Sequence, residues 1–306
     1  MLAHTSSPRV ALLTGATGFI GSNLARQLVN HGWHVHVLVR GDSKLDALKD
    51  IQTSIHFHQV TENIENLADT LREIQPTCVF HIASLFLAQH TPNQINQLVQ
   101  SNVNFPTQLL EAMRLAGVKR LINTGTSWQH FENSDYDPVN LYAATKQAFE
   151  SIIQYYIEAH GLKVCTLKLF DTYGANDPRP KLVALLWKTA REGTTLDMSP
   201  GEQLVDLVHI KDVVEAYCRA ADLLDTQTTG HVRYGVSSGN PMKLRDLVEA
   251  FERATNQRLP INWGGRPYRD REVMRLWRDY QTVPGWRPKI PFEIGILETA
   301  PNHNLQ

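Results

Sequence analysis

Short apolar runs alternate with longer segments of helical period through the first half of the chain. A compact apolar run is typical of a buried strand, and apolar residues that recur every three or four positions are typical of an amphipathic helix. The runs predict strands at residues 10–14, 33–39, 55–60, 78–83, 121–124 and 163–170, and the helical periods fall at 19–31, 64–74, 94–116 and 141–160. Strands separated by helices form a parallel sheet that is covered on both faces. The expected fold class is therefore α/β, with a Rossmann-like, doubly wound parallel sheet.

The pattern changes after residue 175. Residues 177–180 form a proline-rich turn, 181–191 and 244–255 have a helical period, 231–236 predict a strand that returns to the sheet, and 264–278 are rich in arginine. We expect one domain from residues 1–175, with about 205–240 returning to it, and a smaller C-terminal lobe from 176–204 and 241–306. The lobe would bind substrate over the carboxyl ends of the strands, where open α/β sheets hold their ligands.

Acidic and basic side chains nearly balance, with 31 of the first against 30 of the second. A net charge this small provides no basic field for nucleic acid or for an anionic membrane surface. The chain lacks a run of roughly 18 apolar residues, which a membrane-spanning helix needs, and residues 1–9 lack the apolar stretch of a signal peptide. The cysteines Cys78, Cys165 and Cys218 have neither a disulfide-framework nor a zinc-site spacing. We expect a cytoplasmic protein with no nucleic-acid or membrane partner.

Two histidine pairs invite a metal hypothesis. His34 and His36 lie two apart in one strand-like run, as do His56 and His58 in the next. Each pair therefore faces one side of a sheet, and the sequence offers no third ligand nearby. We expect hydrogen-bonded or exposed sheet histidines and no metal site.

The first predicted strand is followed directly by glycines with the spacing G-x-x-G-x-x-G at the start of a helix. Gly15 suits the tight turn, Gly18 the approach of a pyrophosphate, and Gly21 the packing of helix on strand. Free N–H groups and the positive end of the helix dipole favour a phosphate there. Although a glycine-rich turn can exist without a ligand, this context predicts a dinucleotide-binding domain over residues 1–175. The expected cofactor contacts are Gly15, Thr17, Gly18, Phe19, Ile20 and Gly21.

Arg40 ends the second predicted strand, where proteins that take NAD carry an acidic residue for the ribose hydroxyls. An arginine suits the additional 2′-phosphate of NADP and cannot accept hydrogen bonds from hydroxyl groups. Asp42, two residues later, is an acid within reach of the ribose. We expect NADP as the cofactor, with NAD as the alternative.

Tyr142 and Lys146 have the spacing Y-x-x-x-K in a predicted helix that follows Pro138. Residues four apart share one helix face, so the phenol and the ammonium can point into the same cleft. A nearby cation favours the phenolate and lowers a tyrosine pKa from its ordinary value of about 10 toward neutrality. The spacing alone is common by chance. Downstream of the glycine loop and just after the fifth strand, it predicts a catalytic pair that also contacts the cofactor.

Together these motifs resemble the extended short-chain dehydrogenase/reductase superfamily, in which the NAD-dependent epimerases and dehydratases belong. The resemblance covers nearly the whole chain and is strongest over residues 10–174. It implies a third catalytic residue, a Ser or Thr at the end of the fifth strand that hydrogen-bonds the reacting oxygen. Alignment of residues 118–122 with that strand places Thr126 in this role, with Thr124 and Ser127 as neighbouring alternatives.

The same resemblance implies further site residues. Residues 79–84 are similar to the segment beside the nicotinamide ribose and the substrate, which implies cofactor contacts at Ala83 and Ser84. Residues 102–104 look like the helix beneath the active site and add Asn102 to the cofactor contacts. Residues 168–174 and 207–212 resemble the R-x-x-N-x-Y-G and V-H-x-x-D stretches of nucleotide-sugar enzymes. Asp171 stands where the first of these stretches has Asn, and Val205 precedes Asp206 where many relatives carry Arg.

Departures from the superfamily pattern narrow the implied activity. Its dehydratases place an Asp-Glu pair after the catalytic Thr, whereas Ser127 and Trp128 stand here, which disfavours dehydration. Residues 123–129 and 138–146 look most like nucleotide-sugar 4-ketoreductases of the CDP-abequose synthase type. The resemblance thus implies NADP-dependent reduction of a nucleotide-linked 4-keto-6-deoxy sugar. Tyr142 would be the general acid, Thr126 would hold the oxygen, and Lys146 would bind the nicotinamide ribose and lower the tyrosine pKa.

Two other functions stay open. A nucleotide-sugar epimerase with tightly bound NAD needs the same Tyr, Lys and Thr, and Arg40 favours the reductase because NADP usually supports net reduction. A non-catalytic NADP-binding sensor or scaffold is disfavoured by the complete catalytic set.

Substrate contacts are expected at Ser84, Thr126, Ser127, Asp171, Arg266 and Arg271. The arginines, with Arg269 between them, suit a pyrophosphate because guanidinium binds phosphate in a bidentate manner, although an exposed basic loop explains them equally well. Residues 94–116 and 141–160 carry more apolar positions than one sheet face needs. In the superfamily these two helices commonly pair with their copies, which implies a homodimer.

Overall fold

Seven parallel strands form the central sheet of the computed structural model, which describes residues 8–60, 63–226 and 230–301. From one edge to the other they are β11 (Gly230–Val236), β6 (Lys163–Leu169), β5 (Arg120–Thr126), β4 (Cys78–His81), β1 (Val10–Thr14), β2 (His34–Val39) and β3 (Ile55–Gln59). This order reverses direction at β1, as in a doubly wound Rossmann sheet. The predicted fold class is confirmed. The polar N-terminal segment and the end of the expected lobe lie in part outside the described residues.

Helices cover both faces of this sheet. Adjacent residues of a strand point to opposite faces, so Leu13 and Phe80 belong to one apolar cluster, whereas Leu12 and Val79 belong to the other. The first cluster is covered by α1 (Phe19–Asn30) and α7 (Ile210–Thr226), and the second by α2 (Ile64–Ile74), α4 (Phe105–Ala116) and α5 (Leu141–His160). The sheet is therefore buried on both faces.

Helix α5 has the bounds that its helical period predicts. Asn140 caps its start, where the side-chain oxygen accepts a hydrogen bond of 2.9 Å from the Ala143 amide. Gly161 ends it with a left-handed φ of 66°, a conformation that costs glycine little. Sequence-encoded caps at both ends therefore set the position of Tyr142 and Lys146 in the first turns of this helix.

The predicted helix over residues 94–116 is interrupted. The structure contains a short α3 (Ile95–Val99), a π-helical segment (Gln100–Asn104) and then α4. A π segment inside a helix is rare, and such segments occur frequently at functional sites. Asn102 lies in this π segment and is buried, with 1 % of its surface exposed.

A smaller apolar core lies beyond the carboxyl edge of the sheet. Leu186, Leu247, Phe251 and Phe292 pack together in it. The elements involved are α6 (Leu182–Glu192), α8 (Leu244–Thr255) and α9 (Phe292–Gly295), with three strand pairs: β7 (Asp171–Tyr173) with β10 (Leu207–His209), β8 (Leu196–Met198) with β13 (Ile261–Trp263), and β9 (Leu204–Val205) with β12 (Met242–Lys243). This part of the chain forms one wall of the candidate site.

Two features of the structure differ from the sequence-based expectation. Helix α7 was not predicted, although its buried Val213, Tyr217, Ala220 and Leu224 recur at helical spacing. The three strand pairs were also missed because each strand has only two or three residues, too few for a periodic signal.

The histidines of β2 and β3 stack against one another. The Nδ1 atom of His36 lies 2.9 Å from Nε2 of His58, and its ring stacks on His56 at 4.7 Å between centroids. Burial and the neighbouring histidines lower the pKa of His36 to about 4, so this ring is neutral at physiological pH. In the described parts of the chain, no group of three His, Cys, Asp or Glu side chains is arranged to hold a metal, and no helix is long and apolar enough to cross a bilayer.

Candidate active site

The glycine loop joins β1 to α1, and two of its glycines are required by the protein's own packing. Gly15 has a left-handed φ of 72°, and a Cβ there would lie 2.6 Å from the Ala83 amide nitrogen. A Cβ on Gly21 would overlap the Gly15 carbonyl. Gly18 is different because its Cβ would meet only the Gly15 oxygen, at 3.3 Å, and the residue is exposed. Its lack of a side chain leaves an open space at the start of the helix.

That space suits the pyrophosphate of a dinucleotide. Helix α1 begins at Phe19 without an acidic residue in its first turn and without a side-chain cap on Gly18. The first amides of a helix have no partner within it, and the helix dipole places positive charge there. Thr17, Phe19 and Ile20 flank this end. The loop therefore has the shape and polarity for a phosphate group.

Arg40 follows directly after β2, as the sequence places it. Its side chain is 79 % exposed, and its Nε lies 3.4 Å from the Asp42 carboxylate. An ion pair so exposed contributes little energy, so the guanidinium can leave it for a phosphate. Arg40, which favours NADP, and Asp42, which favours NAD, therefore lie side by side.

Asn102 fixes the segment that follows β4. Its side-chain oxygen accepts hydrogen bonds from the Ser84 hydroxyl at 3.1 Å and from the Leu85 amide at 2.8 Å. Its amide nitrogen donates to the Leu85 carbonyl and to the Thr145 hydroxyl, at 3.0 and 3.1 Å. The side chain therefore joins the π segment, the residues after β4 and α5. Asn102 therefore supports Ser84, and its side-chain oxygen and nitrogen already have hydrogen-bond partners within the protein.

Tyr142 is buried in the first turn of α5, with 9 % of its surface exposed. Burial raises the pKa of Tyr142 to about 12, and a hydrogen bond with Ser84 opposes this shift. The charges that act on it are Asp171, which raises the pKa, and Arg179, which lowers it. The sequence predicted a pKa lowered by Lys146. The structure shows the opposite direction because loss of water around the phenol outweighs the nearby charges.

Lys146 lies one turn further along α5 and is 3 % exposed. Burial lowers the pKa of Lys146 to about 8, while the negative charge of Glu150 opposes the shift. The positive charge of Lys146 in turn contributes to the low pKa of His81, about 3, which leaves that buried ring neutral. A buried amine of this kind needs polar partners, and the hydroxyls of a ribose provide them.

The three hydroxyls considered at the end of β5 have different surroundings. Thr124 is held in the core, where its oxygen donates to the His81 carbonyl at 2.8 Å and lies 2.7 Å from the Tyr217 hydroxyl. Thr126 is 8 % exposed, and its oxygen accepts a hydrogen bond of 3.3 Å from the Trp128 amide. Ser127 lines the adjoining cavity. Thr124 is thus committed to the protein interior, Ser127 lines the cavity, and Thr126 precedes Ser127 at the end of β5.

A cavity of about 530 Å³ opens beside these residues. Its walls come from the segments that follow β4, β5 and β6, from α6 and from the arginine-rich segment near residue 270. Phe86 forms the wall nearest Tyr142, with ring centroids 5.0 Å apart, and also contacts Trp128. The cavity therefore lies at the carboxyl ends of the strands, where open α/β sheets bind ligands, and its volume is that of a small-molecule site.

The sequence matches the NAD dependent epimerase/dehydratase family over residues 11–235. The chain belongs to this family. The match spans the glycine loop, helix α5 and nearly all of β11. It confirms the resemblance to the extended short-chain dehydrogenase/reductases and the prediction of an NAD(P)-dependent enzyme.

Characterised members of the family are similar to this chain over most of its length. A CDP-abequose synthase of Salmonella muenchen is 28% identical over 289 residues, which are 93% of this chain and 94% of that protein. A UDP-glucose 4-epimerase of Mycolicibacterium smegmatis is 28% identical over 308 residues, 94% and 96% of the two chains. Among solved structures, the UDP-glucose-4-epimerase of Stenotrophomonas maltophila with bound NAD and formylated UDP-arabinopyranose superposes with a TM-score of 0.86 at 20% identity, covering 96% and 97%. That likeness establishes the shared fold.

The cavity is also lined by lysine and arginine side chains that the sequence did not predict as substrate contacts. Arg179 pairs with Asp177 at 2.6 Å and stacks over the Phe19 ring at 4.5 Å, so it stands between the glycine loop and the cavity. Lys181 pairs with Asp171 at 3.1 Å. Lys188 and Arg191 of α6 also line the cavity, as does Arg269, which the sequence had already indicated. Arg179 lies in the proline-rich turn that comes after the family's Y-G stretch, and Lys181 follows that turn directly. This position was the available signal.

In the arginine-rich segment the structure places Arg269 at the cavity, whereas the sequence predicted substrate contacts at Arg266 and Arg271. Arg269 lines the cavity, pairs with Glu272 and lies over the Trp128 ring. Arg271 points away to an ion pair with Asp137 at 2.5 Å, and Arg266 is exposed outside the cavity wall. The segment has no regular secondary structure, so no period in the sequence reveals which arginine faces inward.

Proposed function

We propose that the protein is an NADP-dependent reductase that acts on the ketone of a nucleotide-linked 4-keto-6-deoxy sugar. The observation that carries the proposal is a buried Tyr142 and Lys146 pair between an open glycine loop and a cavity with a cationic wall. These parts supply, in one place, a proton, a cofactor site and a site for a phosphorylated substrate.

The cofactor site is built from the glycine loop and Lys146. The space left by Gly18 at the start of α1 fits the pyrophosphate, and the Lys146 ammonium fits the hydroxyls of the nicotinamide ribose. Ala83 stands directly against Gly15 and helps to shape this site. When bound, NADPH supplies the hydride for the ketone carbon. Arg40 favours NADP because its exposed guanidinium is free to bind a 2′-phosphate.

Tyr142 provides the proton. A pKa of about 12 means that the phenol carries its proton at neutral pH and therefore has one to donate. As negative charge develops on the ketone oxygen during reduction, proton transfer from the phenol neutralises it. We propose that the Thr126 hydroxyl holds this oxygen, with Ser127 and Ser84 as further contacts to the sugar.

The nucleotide part of the substrate fits the cationic wall. Guanidinium groups bind phosphate oxygens in a bidentate manner, and Arg179 and Arg269 face the cavity from two sides. Lys181, paired with Asp171 beside Phe86, adds an ammonium group nearer the sugar. The similarity to CDP-abequose synthases supports a nucleotide-linked sugar as the substrate.

A nucleotide-sugar epimerase that retains NAD is the second candidate. The carboxylate of Asp42, 3.4 Å from Arg40, favours it because an acid at this point can accept hydrogen bonds from a ribose. The similarity to UDP-glucose 4-epimerases supports it as well. An epimerase returns its hydride to the same sugar and consumes no cofactor.

One experiment separates the two functions. Nucleotide-linked 4-keto-6-deoxy sugars and nucleotide-linked hexoses are incubated with the protein and either NADPH or NADH, and both nicotinamide absorbance and sugar products are followed. A reductase oxidises one NADPH for each ketosugar reduced. Conversion of a hexose to its 4-epimer without net cofactor oxidation would instead establish the epimerase, and bound NAD released on denaturation would accompany it.

A further inference from the structure

A buried polar network lies directly behind the catalytic turn. Glu150, whose side chain is 1 % exposed, stands one helical turn beyond Lys146 on α5. Its Oε1 accepts a hydrogen bond of 2.8 Å from the Gln129 amide, and its Oε2 accepts one of 3.0 Å from Arg233. Lys168 lies 3.6 Å from Oε1. A carboxylate this deeply buried is costly unless it is paired, and here partners come from three different elements.

Gln129 connects this network to the end of β5. Its side-chain oxygen accepts a hydrogen bond of 3.0 Å from the Thr126 amide, while its nitrogen donates to Glu150 and, at 2.7 Å, to Gln147. Gln129 is completely buried. One side chain therefore ties the residue proposed to hold the ketone oxygen to the helix that carries Tyr142 and Lys146.

We propose that Gln129 and Glu150 are positioning residues for the reaction: Gln129 holds Thr126 at a set distance from α5, and Glu150 supplies the negative charge that keeps Lys146 a cation. The inference rests on the proposed function and adds two residues that touch neither cofactor nor substrate. Their effect is exerted through Thr126 and Lys146.

The surrounding charges are consistent with an ionised Glu150. Burial alone would raise its pKa, but the charge of Lys168 and the hydrogen bonds from Gln129 and Arg233 together hold the pKa below its ordinary value. The two histidines near the network are neutral, because burial lowers the pKa of His130 and of His231 to about 4.

Lys146 and Glu150 are four residues apart on α5, so they lie on the same face of the helix. The negative charge of Glu150 opposes the lowering of the Lys146 pKa by burial, and the neighbouring His81 is neutral. Because the pKa of Lys146 is already lowered to about 8, loss of the Glu150 charge would lower it further, toward neutral pH.

Replacement of Glu150 by Gln tests the electrostatic part. The amide keeps the shape and removes the charge, so the pH above which NADPH affinity declines should fall by about one unit or more. Affinity is measured by quenching of protein fluorescence across the pH range. Glu111→Gln is the matched control, because Glu111 is a carboxylate on α4 that pairs with Arg114 of the same helix and accepts a hydrogen bond from Tyr156 of α5. Its pH dependence should equal that of the wild type.

A second variant separates the effect of the Glu150 charge on cofactor binding from its effect on the stability of the protein. Glu150→Gln leaves Lys168 buried without its counter-charge, which destabilises the protein. The double variant Glu150→Gln/Lys168→Met removes both charges and should recover thermal stability, yet it should retain the shifted pH dependence. Recovery of the wild-type pH dependence in the stable double variant would assign Glu150 a purely structural role and overturn the proposal.

Replacement of Gln129 by Leu tests the positional part. Loss of the tie to Thr126 should lower kcat by roughly 10- to 100-fold, since small displacements of reacting groups are costly, while NADPH affinity stays unchanged. Gln154→Leu, at an exposed position on α5, should leave both unchanged. Normal kcat in Gln129→Leu, or no pH shift in Glu150→Gln, contradicts the proposal while leaving the reductase function intact. A wild-type protein that binds neither NADPH nor NADH contradicts both.

Discussion

The phenol of Tyr142 and the amine of Lys146 are both buried, and burial shifts their pKa values in opposite directions. Each shift favours the neutral form, because a low-dielectric site disfavours charge of either sign. A neutral phenol can donate a proton, and an amine with a pKa of about 8 is mostly protonated at neutral pH. The negative charge of Glu150 opposes the lowering of this pKa by burial, and we propose that it helps to keep Lys146 a cation.

Tyr142→Phe keeps the ring against Phe86 and removes the transferable proton. We expect kcat to fall by about 10²–10⁴-fold, the usual contribution of a general acid, with NADPH affinity nearly unchanged. Lys146→Met should weaken NADPH binding as well as turnover. Steady-state kinetics and fluorescence titration measure both effects, and Tyr155→Phe, an exposed tyrosine on the same helix, is the control. A Tyr142→Phe enzyme with more than about half of the wild-type activity would place the acid elsewhere.

Arg40→Asp tests the basis of cofactor choice. The substitution removes the guanidinium and adds an acceptor for ribose hydroxyls, so NADPH affinity should fall and NADH affinity should rise. Both cofactors are titrated against both proteins. Lys44→Asp makes the same charge reversal at an exposed neighbour and should change neither preference. Equal NADPH affinity before and after Arg40→Asp would mean that Arg40 plays no part in recognition.

At the scale of elements, the end of β5 determines which hydroxyl can reach the substrate. Adjacent residues of a strand point to opposite faces, and the strand ends at Thr126. Thr124 lies on the same face two residues earlier and is therefore one layer deeper, against Tyr217 of α7. The turn that follows then carries Ser127 to the cavity wall.

Thr126→Val, Ser127→Ala and Thr124→Val distinguish these hydroxyls. If Thr126 holds the ketone oxygen, its loss should lower kcat by about 10²-fold or more, and Ser127→Ala should have a smaller effect. Thr124→Val should instead destabilise the protein by about 1–3 kcal/mol through loss of buried hydrogen bonds, with kcat retained in the folded fraction. Thermal denaturation and kinetics provide the two measurements. A larger kcat loss for Ser127→Ala than for Thr126→Val would exchange their roles.

At the scale of the whole molecule, α3 and α5 expose apolar side chains on the outer side of the sheet domain. Ile95 and Val99 on α3 are 39 % and 42 % exposed, and Tyr155 on α5 is 58 % exposed. Apolar residues grouped on neighbouring helices are typical of a surface that another protein covers. We propose that a second copy covers them in a homodimer.

Light scattering at micromolar concentration should give twice the chain mass of 34.6 kDa. Val99→Asp places a charge in the proposed interface and should shift the protein toward the monomer. Leu45→Asp, at an apolar residue with similar exposure elsewhere, should leave the mass unchanged. A monomer mass for the unmodified protein would reject the dimer.

Local sequence signals determined the parts of the site that rest on one strand, one turn or one helix. The glycine loop follows from spacing because Gly15 and Gly21 meet constraints within a few residues. Helix α5 has its predicted bounds because Asn140 and Gly161 encode its ends, and the four-residue spacing of Tyr142 and Lys146 places them on one face. The division into a dinucleotide-binding domain and a smaller lobe stays a prediction.

Only the tertiary structure decided what depends on groups far apart in the chain. The direction of the Tyr142 pKa shift comes from burial beneath Phe86, and no local pattern contains that information. Arg269 faces the cavity and Arg271 does not because the segment that carries them is irregular and follows the surface on which it packs. Glu150 acquires its importance from Gln129, Lys168 and Arg233, which three other parts of the chain bring to it. The spacing of residues in the sequence determines short-range geometry. The pKa values of buried groups and the lining of a cavity depend instead on all the residues that the fold brings close together.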